Sequence, residues 1–186
     1  LKEYYAGLIP LLTTDFQGPP IARCMVLPSF TAEYAISIER SDSSKYRLKL
    51  NYCSENYWYA QKRGNVKIKQ TSIAIPSDLG LADQELFELL TSQIRESETI
   101  MMGEYGTTYY FSTTSSNGKV LTGEIWSPIE TTMRDLVMIT QELVDLASGK
   151  NTRFDRLETD VRGANTEIEK TLSTTTAIRN RPHTCR

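Results

Sequence analysis

Two runs of strict alternation on either side of a short polar turn constrain this chain more than any other feature. Tyr34, Ile36 and Ile38 alternate with Ala35, Ser37 and Glu39. After Ser41-Asp42-Ser43-Ser44, Tyr46, Leu48, Leu50 and Tyr52 alternate with Arg47, Lys49, Asn51 and Cys53. Successive side chains of a strand point to opposite faces, so a period of two demands two strands, each with one apolar side. The four-residue turn makes them neighbours in an antiparallel hairpin. Tyr34, Ile36, Ile38, Leu48 and Leu50 are its expected core residues.

The rest of the chain extends this sheet. Residues 3–12 suit a short helix ended or kinked at Pro10, and Gln17-Gly18-Pro19-Pro20 breaks it. Residues 21–27 form an apolar run fit for a buried strand, closed by Pro28. In residues 66–75 the apolar parity changes: Val66 and Ile68 share one, Ile73 and Ile75 the other. That change requires a bulge or a crossing between packing environments, and an irregularity is expected between Lys69 and Ser72. A helix is expected from Ala82 or Asp83 to near Glu96, with Leu86, Phe87, Leu90 and Ile94 on one stripe. Residues 107–113 and 119–126 are two β-rich runs joined through Asn117-Gly118. A second helix is expected over 131–148, burying Met133, Leu136, Val137, Thr140, Leu143, Val144 and Ala147, with Gly149 as its stop. Strands in runs, with helices set apart, predict an α+β fold. The expected architecture is an antiparallel five- to six-stranded sheet covered on one face by two main helices, within a domain of residues 1–149.

Residues 150–186 read as an appendage, helical or partly disordered. Phe154, Leu157, Val161, Ala164 and Ile168 recur at spacings of three and four, a narrow seam over two to three heptads. Gly163 weakens it by roughly 1 kcal/mol relative to alanine. Such a stripe is buried either on its own domain or against a partner, and docking in cis is the favoured reading. The basic end beyond Leu172 reads as frayed.

Composition narrows function mainly by exclusion. One histidine, His183, lies in the polar tail, and no nucleophile elbow, phosphate-cradling glycine loop or metal-ligand spacing occurs. No metal and no cofactor is therefore expected. Basic and acidic residues nearly cancel, 21 against 23, which weighs against nucleic acid held by bulk charge. No apolar run reaches the roughly 20 residues of a membrane-spanning helix. The chain reads as soluble, whether cytoplasmic or exported after loss of an N-terminal segment. Three cysteines are an odd number; Cys24 and Cys53 read either as buried thiols or, in an exported chain, as a bridge.

Three places invite chemistry. Tyr57-Trp58-Tyr59, read as strand residues on alternate faces, put at least one aromatic outside, close to Lys62, Arg63, Lys67 and Lys69. Gly103-Glu104-Tyr105-Gly106 sets a carboxylate beside a phenol in what reads as an ordinary turn. Glu39, Glu104, Glu124 and Glu130 are carboxylates from which a catalytic pair would have to come. The leading expectation is a non-catalytic binding or interaction protein: an inhibitor, an immunity-type factor or an accessory subunit. It would work with a protein partner or by self-association, through Tyr57, Trp58 and Tyr59 or through the helix carrying Phe154, Leu157, Val161 and Ile168. The alternative is a small carboxylate- and tyrosine-based enzyme or ligand-binding protein with a sheet–helix cleft.

Overall fold

The alternating segments form β2 (Tyr34–Arg40) and β3 (Tyr46–Cys53), antiparallel, with Ile36 opposite Leu50 and Ile38 opposite Leu48. All four are buried, as their period required. The computed structural model describes residues 2–42, 45–94, 106–128, 131–150 and 153–179, without the side chains of 131, 132 and 171–179. Around the hairpin the chain adds β1 (Ala22–Pro28), β4 (Ile68–Ile75), β5 (Thr107–Thr114) and β6 (Val120–Trp126). The antiparallel sheet runs β4-β3-β2-β1-β5-β6. At the β5–β6 turn Gly118 takes φ +81°, the left-handed conformation an Asn-Gly turn needs.

Among the described residues four α-helices flank the strands: α1 (Lys2–Leu12), α2 (Ser77–Thr91), α3 (Thr131–Ala147) and α4 (Phe154–Arg179). The fold is α+β. Leu79, Leu86, Phe87 and Leu90 of α2 and Leu136, Leu143 and Val144 of α3 share one core with Cys24, Val26, Ile36, Leu48 and Phe111 of the sheet. The α3 stripe follows the expected face, with Val137 only partly buried, and Gly149 at φ +73° ends the helix.

Two expectations are corrected. The first concerns β4, which pairs with β3 without interruption from Tyr46 opposite Ile75 to Cys53 opposite Ile68, so there is no bulge between Lys69 and Ser72. The parity change arises because this part of the sheet is covered on both faces. Ile73 and Ile75 face the α2–α3 core, whereas Ile68 and Cys53 face a second, smaller core built on α1 with Tyr4, Leu8 and Leu12. The second concerns α2, which starts at Ser77, directly after Pro76, not at Ala82 or Asp83. Gly80, a poor helix former, sits there because a Cβ would stand 2.5 Å from the Tyr46 ring. Asp83, expected at a solvated helix start, is instead mid-helix and wholly buried. Of the two readings of the cysteines, buried thiols is the one that holds: Cys24 and Cys53 are free, buried and on opposite faces, two strands or at least roughly 10 Å apart. That is beyond the reach of a disulfide.

The seam of α4 is buried on its own chain. Leu157, Val161 and Ile168 belong to the main core, and Phe154 and Ala164 pack against it. Asn165 Nδ2 donates to the Ala82 carbonyl of α2 at 3.2 Å. Residues 153–168 thus complete the helical layer built by the first 149.

Candidate functional site

Tyr57, Trp58 and Tyr59 occupy a turn after β3, not a strand, so alternation does not set their directions. A carboxylate does. Glu33, at the end of the β1–β2 loop, is fully buried and gathers three donors. The Tyr57 amide donates to its Oε2 at 2.7 Å, while the Trp58 amide at 3.3 Å and the Tyr4 hydroxyl at 2.9 Å donate to its Oε1. Burial, followed by the bond to Glu33, raises the Tyr4 phenol well above its ordinary pKa and keeps it a proton donor. A second tie joins the same segments: Asn56 Nδ2 donates to the Thr31 carbonyl at 2.7 Å, and its Oδ1 accepts from the Tyr59 amide at 3.0 Å.

The aromatics so held divide between core and surface. Tyr57 is buried against α1, where Tyr4 packs edge-on against Trp58 with ring centroids 5.0 Å apart. The Arg63 guanidinium lies over all three rings, 6.0 Å from Tyr4, 5.5 Å from Tyr57 and 5.8 Å from Trp58. That cation is engaged by the protein itself. Tyr59 is 60% exposed and Trp58 43%. Tyr59 stacks nearly parallel on Phe30 of the β1–β2 loop, also 60% exposed, with centroids 6.4 Å apart and planes 5° apart. The sequence reading singled out Trp58 and Tyr59, both exposed. It missed Phe30, which is adjacent only because the loops before β2 and after β3 meet at one end of the sheet.

Among the described residues, Glu39 and Glu124 do not form a catalytic pair. Glu39 is locked: Lys49 Nζ lies 3.0 Å from its Oε2, the Gln17 amide donates to its Oε1 at 2.9 Å, and Arg23 lies 3.8 Å away. Lys49 also donates to the Asp15 carbonyl at 2.6 Å, so the network pins the segment after α1. Glu124 on β6 lies three strand spacings from β2, about 14 Å, beyond the about 5–9.5 Å used by paired carboxyls in glycoside hydrolysis. It stands opposite Tyr110, whose phenol is raised above its ordinary pKa by burial first and by Tyr5 and Glu124 next. Gly103, Glu104, Tyr105, Glu130, His183 and Cys185 lie outside the described residues. Burial pushes the Cys53 thiol up to about 12 and raises Cys24 further, so neither is a ready nucleophile.

A cleft of about 450 Å³ opens between the sheet and the C-terminal end of α3. Tyr34 and Tyr52, cross-strand partners stacked with centroids 5.5 Å apart, line it together with Tyr109, Thr31, Gln141 and Lys150. Burial raises the Tyr34 phenol above its ordinary pKa, and its hydroxyl donates to Gln141 Oε1 across a long 3.4 Å. The two phenols stand at the matched ends of the alternating runs, but only the placement of α3 over them makes a cleft.

Among the described residues, no group of three or more His, Cys, Asp or Glu side chains is placed to hold a metal ion, and no helix is long and apolar enough to cross a membrane. No protein-family model matches the chain, and neither a curated protein nor a solved structure is significantly similar to it.

Proposed function

We propose that this protein is a non-catalytic interaction protein, an inhibitor, immunity-type factor or accessory subunit, that docks a partner protein on the aromatic end of its sheet. The observation that carries this reading is the Glu33 carboxylate, which fixes the backbone of residues 57 and 58 from below while Trp58 and Tyr59 face solvent. Large aromatics give the most contact area for the least side-chain entropy, and a backbone already held by hydrogen bonds loses little more on binding. The reading does not draw on the seam of α4, whose Leu157, Val161 and Ile168 pack in the chain's own core. The near-cancelling charge and the engagement of Arg63 by its own aromatic neighbours favour a protein partner over a nucleic acid.

The test is site-specific photocrosslinking in the native cell, with the probe at position 59 and, as a control, at the exposed Met138 of α3. The expected result is one defined partner protein trapped at 59 but not at 138, and competed by excess native protein. Competitor carrying Trp58→Ala and Tyr59→Ala should fail. If that variant competes as well as the native protein, the reading is overturned.

A further inference from the structure

We propose that the cleft between the sheet and the C-terminal end of α3 binds a small neutral ring rich in hydroxyl groups, a saccharide of one or two units. This goes beyond the partner-docking reading and uses neither Trp58 nor Tyr59. The volume, about 450 Å³, is that of a small-ligand site. The chemistry of the lining selects the class of ligand. Tyr34, Tyr52 and Tyr109 supply aromatic surface for the C–H faces of a ring, and buried Val26 and Val144 add apolar wall. The polar groups among them, phenol hydroxyls, the Thr31 hydroxyl and the Gln141 amide, each donate and accept, as sugar hydroxyls do.

Charge is the discriminating feature. Among the described lining residues the one charged group is Lys150, 71% exposed at its side chain and paired with Asp145 at 3.5 Å. Among the described lining residues a carboxylate or phosphate ligand would find no dedicated cation and an ammonium no carboxylate, since Asp145 at the rim is already engaged by Lys150 and the Gln141 amide. The Tyr34–Gln141 contact at 3.4 Å is longer than the 2.5–3.0 Å typical of a hydroxyl–oxygen bond. A ligand hydroxyl replacing this contact would accept from the phenol and donate to the amide oxygen at ordinary length once the exposed Gln141 side chain turned aside.

The experiment is an NMR titration of the full chain with glucose, galactose, N-acetylglucosamine, maltose, lactose and chitobiose, with benzoate and tetramethylammonium as charged probes. At least one neutral sugar should give saturable shifts confined to Tyr34, Tyr52, Tyr109 and the Gln141 side-chain amide. Gln141→Ala should weaken that sugar about tenfold, the worth of one lost hydrogen bond. Tyr52→Phe, which keeps the stacked ring and the fold, should also weaken it. The proposal is overturned if no sugar gives a saturable shift, if the shifts lie elsewhere, if either charged probe binds as tightly, or if both variants bind normally.

Discussion

Asp83 contradicts the rest of the core, and replacing it should stabilise the protein. It sits mid-way along α2 with no exposed surface, between Leu79 one turn before and Leu86 and Phe87 one turn after, all buried. Neither carboxyl oxygen has a hydrogen-bond partner among the described residues. Burial alone raises its pKa well above the ordinary value, so the folded protein keeps a proton that the unfolded chain releases near pH 3.9. The folded state therefore binds more protons, and stability falls as pH rises from about 4 towards the folded-state pKa. Even uncharged, a buried polar group without a partner costs about 1–3 kcal/mol. Asp83→Val, close in volume and of similar helix propensity, removes both penalties. Urea melts across pH 4 to 8 should show the variant more stable by about 1–3 kcal/mol at the acid end, with the gap widening towards neutrality. For a domain of this size each kcal/mol corresponds to about 2–4 °C in Tm. Asp83→Asn should abolish the pH-dependent part and keep the constant part. A gap independent of pH, or a Val variant less stable than the native protein throughout, would show that Asp83 is hydrogen-bonded and charged, and the reasoning would fail.

Two further outcomes test the packing. Leu48→Ala, at a fully buried site in the centre of β3, should cost about 2–5 kcal/mol in denaturant melts without a change in fold by circular dichroism; a cost below half a kcal/mol would mean that the wrong face of the hairpin is buried. Val161→Asp, at a fully buried position of α4, should lower the melting temperature while leaving the mass measured by light scattering unchanged; a native dimer converted to monomer would show that the seam pairs between chains.

Local periodicity carried the fold where one side of an element is apolar and the other is not. The hairpin and α3 were legible for that reason: Ile36, Ile38, Leu48 and Leu50 obey a period of two, and Leu136, Leu143 and Val144 a period near 3.6. Errors arose where a residue's local preference was overruled by something distant. Gly80 is a poor helix former, yet it lies inside α2, where the Tyr46 ring, 34 positions earlier, fills the place of a side chain. Asp83 reads as a helix start because aspartate favours that position, yet α2 begins six residues sooner, where Ser77 and Asp78 follow Pro76. The parity change in β4 was visible, but choosing between a bulge and a second core required knowing that α1 returns to cover Ile68 and Cys53.

The candidate site was legible in composition but not in geometry, and the difference lies in Glu33. Tyr57-Trp58-Tyr59 drew attention as consecutive aromatics on a strand, where alternation would expose at least one. They are in a turn, and their directions are set by hydrogen bonds to a carboxylate 24 residues upstream at its closest donor. In the sequence Glu33 is an acidic residue between Ala32 and Tyr34, without periodic or motif context, and its ordinary reading is a solvated loop charge. Its full burial is tolerated because two amides and a phenol supply the bonds that water would otherwise make. The same β1–β2 loop places Phe30 against Tyr59 and Thr31 in the tyrosine cleft. A loop of five residues therefore governs both candidate surfaces through contacts made at long range in sequence. Single-sequence reasoning names such residues by type and has no means of bringing them together.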